Sequence, residues 1–282
     1  MNRPQPCTPA DLPGMIALVD AMMRAGSDQS MLTDYPLVYR AANLNNVRII
    51  KSLPTPTAQV CSTVVAVVPF IRRPITVAGC SFSIGIISPT ATHPDHRHKG
   101  YGSACLQSCL AQMAADDIDL SVLWTQVATF PFYEHAGYQA VRTQSTLYRC
   151  TKQDAALFCD HGHSVVVYDS AAPHQLEAMI RLHAQESAGV IRQTDEAAAL
   201  FTLPKMETWL ALDGDQVVAY LVVSLASNKF GLIEGGAPSM VCRRCCIMPL
   251  SSLVNTWRRV SVPPFVAGLF PLYFPIWVLD SS

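Results

Sequence analysis

One short run limits the folds open to this chain more than any other: Arg97-His98-Lys99-Gly100-Tyr101-Gly102. The β-rich run Ile75-Ser88 precedes it. An amphipathic helix follows it, with Leu106, Cys109/Leu110 and Met113 on one face. Two glycines spaced G-x-G let the backbone turn tightly and come close to a ligand. A helix that starts at such a turn leaves its first N–H groups without partners, and its dipole adds partial positive charge there. The result is an anion site suited to a diphosphate, with Arg97 and Lys99 adding charge beside it. Two other phosphate motifs do not fit. Gly102-Ser103 lacks the lysine of the P-loop, and Cys105 stands where a dinucleotide fingerprint needs its third glycine.

The flanking pattern predicts a mixed α+β domain around the turn. Thr8-Pro9-Ala10-Asp11 signals a helix start, with Thr8 as cap and Pro9 in the first turn. Leu12, Met15, Ile16, Val19 and Met22/Met23 then recur at helical spacing, and Gly26 ends the run. Val47-Ile50, Val60-Val68 and Ile75-Ser88 are expected to form an antiparallel meander, with Pro54-Thr55-Pro56 and Arg73-Pro74 as turns. Beyond the central helix come a strand at Leu120-Trp124, a short helix at Phe130-His135 stopped by Gly137, and closing strands at Tyr138-Val141 and Ser145-Arg149. From His163 the pattern starts again: a strand at His163-Asp169, a helix opened by Pro173, strands Thr208-Leu212 and Gln216-Ser224 about an Asp213-Gly214 turn, and a strand at Phe230-Glu234. The similarity is one of pattern at a spacing of roughly 160 residues, without residue identity. The expected organisation is a first domain over 1–150, a partial or degenerate second copy over 163–240 and an irregular tail over 241–282.

Composition sets the outer limits. A chain of 282 residues holds one large or two small domains and can bury a core without staples. Lys+Arg 20 against Asp+Glu 21 leaves a net charge of −1, which argues against a general nucleic-acid binder. Met1 to Pro13 contains no apolar signal-peptide core. The ten cysteines are therefore expected to be reduced, small core residues, and the protein cytoplasmic. Val262 to Leu279 is an uncharged run, but Pro263, Pro264, Pro271 and Pro275 break it, which argues against a membrane span.

Thr92-His93-Pro94-Asp95-His96-Arg97-His98-Lys99-Gly100-Tyr101-Gly102 resembles the acetyl-CoA loop of the GNAT superfamily of N-acyltransferases, whose core is R/Q-x-x-G-x-G/A. Further on, Phe132-Tyr133-Glu134-His135-Ala136-Gly137-Tyr138 resembles that family's second signature, F-Y-x-x-x-G-F/Y. The resemblance covers Thr8 to Arg149, and the tandem pattern beyond it is similar to the enhanced intracellular survival proteins. It implies an acyl-CoA N-acyltransferase fold, a mixed sheet flanked by helices. It also implies acetyl transfer from acetyl-CoA to the amine of a small molecule or peptide. In the implied site, backbone N–H groups from His98, Lys99, Gly100, Tyr101, Gly102 and Ser103 hold the CoA pyrophosphate beside Arg97. Thr90, Ala91 and Thr92 pair with the pantetheine arm, and Tyr133 protonates the leaving thiolate. A second copy that has lost cofactor binding fits as well, because no R-x-x-G-x-G follows Phe230 to Met240. One departure stands out. Ser81 to Ser88 lacks the carboxylate that many members place there as a base, which leaves water, Asp28, Asp34 or no specific group. A non-catalytic acyl-CoA-binding protein or inactive remnant is the alternative.

Plainer readings compete for several residues. His93, His96 and His98 with Asp95 have no further ligand at matching spacing, so solvated imidazoles near phosphate are preferred to a metal site. Cys242, Cys245 and Cys246 lack a fourth ligand. Phe132-Tyr133 could be packing alone, and only the family signature raises Tyr133 to a catalytic candidate. Cys105 and Cys109 are expected to pack, and Trp124 and Trp209 to form core or pocket wall, with Trp209 and Glu234 as candidate acceptor-side residues.

Overall fold

The computed structural model describes residues 3–52, 63–141, 146–148, 162–186, 188–225, 231–237, 260–262 and 276–280. In chain order the regular elements are β1 (Gln5–Pro6), α1 (Leu12–Met23), α2 (Met31–Asp34), α3 (Pro36–Tyr39), β2 (Val47–Lys51), β3 (Val64–Val77), β4 (Cys80–Ile87), β5 (Ala91–Thr92), α4 (Tyr101–Ala115), β6 (Leu120–Trp124), α5 (Phe130–Glu134) and β7 (Gln139–Val141). Then come β8 (Thr146–Tyr148), β9 (Ser164–Val167), α6 (Pro173–His183), β10 (Ala188–Val190), α7 (Thr194–Phe201), β11 (Met206–Asp213), β12 (Gln216–Ser224), β13 (Gly231–Gly236), β14 (Val260–Val262) and β15 (Ile276–Asp280). The expected Pro54-Thr55-Pro56 turn, the Cys242–Cys246 cluster and the prolines of the apolar run lie outside the described residues.

The chain divides into two compact units. One comprises Met1–Pro74, Ser81–Arg142 and Tyr273–Ser282; the other comprises Ile75–Cys80 and Thr143–Leu272. In the first, the strands run β1-β2-β3-β4-β6-β15-β7. β2 and β3 are antiparallel. β4 and β6 are parallel, in register from Ile84 opposite Leu120 to Ile87 opposite Leu123, with α4 as the crossover between them. Val68, Phe70 and Ile87 of the sheet and Leu106, Cys109 and Met113 of α4 share one buried core. Burying a side chain of this size contributes about 1.5–3 kcal/mol. Cys105 and Cys109 lie fully inside it, as expected, and burial pushes both thiols up to about 12, which removes them as nucleophiles.

Two local expectations are corrected. The first helix begins three residues later than its cap signal suggests. Thr8 and Asp11 form a closed turn instead, in which the Thr8 amide and hydroxyl donate to the Asp11 carboxylate at 3.1 and 2.7 Å. Asp11 is then the residue before the helix, and Pro13 occupies the first turn. A start at Pro9 would have put Pro13 in the second turn, where its missing N–H breaks a helical bond. The second correction concerns Arg73-Pro74, which is no turn. β3 runs through it, Ile75–Val77 pair with β10, and the reversal falls at Ala78-Gly79, both at positive φ as a tight hairpin requires.

The second unit carries an antiparallel sheet in the order β13-β12-β11-β9, with the hairpin at Asp213-Gly214 where the dipeptide predicts it. Leu176, Met179 and Leu182 of α6 and Phe201 of α7 pack with Leu210, Tyr220 and Val222 of the sheet. The helix α7 was not anticipated. Its sequence, TDEAAALF, is short and buries Glu196, Ala197 and Phe201, one of them charged, so no apolar stripe announces it.

Inside this unit lies a buried polar cluster. Arg192 donates to both Glu234 oxygens, at 2.7 and 2.5 Å, and the Tyr220 hydroxyl donates to Oε1. The Arg192 guanidinium also sits 5.2 Å over the Phe201 ring. His183 completes the group. Its Nε2 lies 2.9 Å from the Val190 carbonyl, so Nε2 carries the proton and donates, and Nδ1 faces Glu234 Oε1 at 3.7 Å. Burial, followed by the Arg192 charge, holds His183 below the usual imidazole range, against the opposing pull of Glu234, the Val190 carbonyl and Glu186. The folded chain therefore binds fewer protons at His183 than the unfolded chain does. The stabilisation is complete above the unfolded value of 6.5 and is lost as pH falls below it towards the lowered folded value. Urea midpoints measured at pH 7.5 and 5.5 should show a loss on acidification that is smaller in His183→Gln; an equal loss in both proteins refutes the assignment.

Candidate active site

The site is assembled from β5, the turn after it and the start of α4. β4, which lies between β3 and β6, follows β6 as far as Ile87 and then leaves it, while Ala91 and Thr92 stay with β3, paired with Val67 and Ala66. The two parallel strands thus diverge at their ends. His93 donates its amide to the Val65 carbonyl at 2.9 Å. Backbone groups alternate along an antiparallel ladder, so the Thr92 N–H and C=O face away from β3. That side is the edge on which an extended ligand can pair.

The turn itself is braced by its own side chains. Pro94–His96 form a single 3₁₀ turn, with the Asp95 amide donating to His93 Nδ1 at 3.3 Å. Lys99 Nζ donates to the Asp95 carbonyl at 2.8 Å. Arg97 Nε reaches the Thr92 carbonyl at 3.4 Å, and its Nη2 lies 3.6 Å from Met22 Sδ on α1. The His96 ring stacks on Tyr101, with centroids 6.1 Å apart, and meets His93 edge-on at 5.7 Å. Desolvation, the Lys99 charge and His93 hold His96 below the usual imidazole range. Arg97 and Lys99 therefore do more than supply charge, because each also ties the loop shut. Met22, which anchors Arg97, was visible in the sequence only as an apolar helix residue.

Gly100 precedes α4 at φ +77°, and nothing lies within 4 Å of where its β-carbon would be. His98 is also at positive φ. No amide from His98 to Ser103 donates a hydrogen bond to any of the described residues. These six N–H groups lie in an exposed turn at the positive end of a 15-residue helix. They are concentrated donors in search of an acceptor, the arrangement that receives phosphate. Gly102 is enclosed instead. A β-carbon there would lie 3.2 Å from Thr92 Oγ1 and 3.5 Å from the Phe132 ring.

Tyr133 is buried on α5, edge-on to Phe132 and Tyr138. Burial raises its hydroxyl above the ordinary phenol value, and the neighbouring Thr90 side chain acts in the opposite direction. The hydroxyl is therefore protonated at neutral pH. The strand residues Ser81–Ile87 bring no carboxylate to the site. Of the distant acids, Asp34 is held by Arg24 Nη2 at 2.5 Å. In the second unit, Glu234 is bound to Arg192 and Tyr220, and Trp209 is half-buried on β11.

Residues 5–141 match the acetyltransferase (GNAT) domain family. A comparison with curated proteins finds no match. Solved structures share the fold across the whole chain. A conserved protein of unknown function from Enterococcus faecalis superimposes with a TM-score of 0.74 at 15% identity, covering 100% of this chain and 73% of its own. A GCN5-related N-acetyltransferase from Anabaena variabilis gives 0.74 at 13% identity with the same coverage. Eis1 from Mycobacterium abscessus gives 0.64 at 14% identity, covering 99% of this chain and 74% of its own. The match covers residues 5–141, and the mixed sheet flanked by helices is the GNAT acyl-CoA N-acyltransferase fold. No helix among the described residues is long and apolar enough to cross a membrane.

The left-handed Gly100 makes a direct prediction. Gly100→Ala places a β-carbon in a conformation that costs about 1–2 kcal/mol. Since the space around it is open, the whole penalty should appear as backbone strain. Urea denaturation should report a loss of that size, and an unchanged midpoint would contradict the turn geometry.

Proposed function

We propose that the protein transfers an acetyl group from acetyl-CoA to a primary amine by direct attack in a ternary complex. The observation that carries the reading is the run of six amides, His98 to Ser103, that bond to none of the described residues, at the start of α4 beside two diverging strands. The amides hold the CoA pyrophosphate, with Arg97 and Lys99 lending charge at close range. The stretch Thr90, Ala91 and Thr92, whose Thr92 N–H faces away from β3, pairs with the pantetheine arm, which extends the sheet by a strand-like ligand. A backbone N–H of the same stretch polarises the thioester carbonyl.

The neutral amine attacks that carbonyl, and the C–S bond breaks as the CoA sulfur takes the electron pair. Tyr133 donates its proton to the sulfur. A phenol of ordinary pKa about 10 transfers a proton to a thiolate near 8.5 only over a short, desolvated path, which the burial of Tyr133 supports. With no carboxylate on β4, the amine loses its proton to water. The acceptor class is a small-molecule or peptide amine. The second unit, without an R-x-x-G-x-G turn, is a copy that binds no cofactor.

The missing carboxylate also favours a second reading, a protein that binds acyl-CoA without turning it over. Both readings are separated by calorimetry and by CoA release across a panel of amines. The acetyltransferase should bind acetyl-CoA at micromolar concentration and release CoA with at least one amine. Tyr133→Phe should then bind as before but turn over roughly 10²-fold or more slowly. Equal inertness of both proteins with binding intact supports the second reading. Absence of heat at high acetyl-CoA overturns both.

A further inference from the structure

Phe132 stands between the turn and Tyr133. Its Cε2 and Cζ atoms would lie 3.5 and 3.6 Å from a β-carbon at Gly102, so the far edge of the ring closes over the first turn of α4. Its other side meets Tyr133 edge-on, with centroids 4.8 Å apart and planes at 80°. Tyr133 meets Tyr138 in the same way at 5.8 Å and 78°, and the Tyr138 hydroxyl is bonded to Ser121 on β6. Three rings thus run in series from the amide-bearing turn to the central sheet, with Tyr133 in the middle. Edge-to-face pairs fix ring orientation as well as separation. A close-packed interior passes on small displacements that it has no room to absorb. Gly102 carries no side chain to yield, and a β-carbon there would also lie 3.2 Å from Thr92 Oγ1, so Thr92 and Phe132 share the space in front of it. A movement of the turn therefore bears on the Phe132 ring.

We propose that Phe132 is a positioning residue, through which filling of the phosphate-facing turn sets the orientation of the Tyr133 hydroxyl. The inference rests on the reading above, in which the turn binds phosphate and Tyr133 is the acid. Phe132 touches no reacting atom. It makes the acid respond to whether the cofactor's far end is seated, so the proton donor is aligned only when a complete cofactor is bound.

The full-length chain labelled with 3-fluorotyrosine tests this by ¹⁹F NMR, with the Tyr133 signal assigned by its loss in Tyr133→Phe. The probe is adenosine 3′,5′-bisphosphate, which carries phosphate but no thiol arm to reach Tyr133. In the wild type, saturation with the probe should move the Tyr133 signal by more than its linewidth. Phe132→Leu keeps aliphatic bulk but lacks the two atoms that reach Gly102. It should lose at least half of that shift while calorimetry shows the probe still bound. A shift undiminished in Phe132→Leu, or no shift in wild type with the probe bound, overturns the positioning role and leaves phosphate binding intact. Failure of the wild type to bind the probe overturns the phosphate-binding role of the turn and the positioning role together.

Discussion

A strand that loses one of its two neighbours creates the site. β4 lies between β3 and β6 until Ile87, and the chain beyond it leaves β6 while keeping β3 as its partner at Ala91 and Thr92. Parallel strands that stayed together would satisfy each other's backbone groups and leave nothing to offer. Because they part, the outward N–H and C=O of Thr92 have no strand to meet, and the chain is delivered to the α4 turn with its amides free. The openness of that turn depends on bracing around it. Arg97 is fastened to Thr92 and Met22, Lys99 to Asp95, and Gly102 is seated between Thr92 and Phe132. Free donors are costly unless solvent or a ligand takes them, and the turn is exposed enough for water to do so.

Two polar groupings contrast. At the α4 turn, amides that bond to none of the described residues lie at the surface, where a ligand can collect them. In the second, polar groups are buried and bonded to one another: Arg192, Glu234, Tyr220 and His183 form a closed set within a core. A buried ion pair of this kind is weak evidence for net stability, since desolvation offsets much of the attraction, but removing either partner strands a charge. Glu234 is therefore explained by its neighbours inside the second unit, and the case for it as an acceptor-side residue has no support from its contacts.

Much of the site was legible in the residues. The G-x-G spacing, the strand before it and the amphipathic run after it announced a turn at a helix start, because glycine tolerance and apolar periodicity are local properties. The Asp213-Gly214 hairpin was legible for the same reason. Legibility failed where the outcome depended on competition. Thr8 and Pro9 make a plausible helix start by themselves, and Pro13 decides against them. Arg73-Pro74 carries the marks of a turn, yet β3 continues through it because Ile75–Val77 find a partner in β10, far along the sequence.

The sequence by itself determined the chemistry of the turn, the placement of Tyr133 within a short helix and the absence of a carboxylate on β4, since each follows from residue type and spacing alone. Tertiary structure decided which groups those features meet: that Thr92 looks away from β3, that Phe132 bridges Gly102 and Tyr133, and that Glu234 is already bound by Arg192. These are contacts between residues distant in the chain, and no local preference of backbone or side chain encodes them.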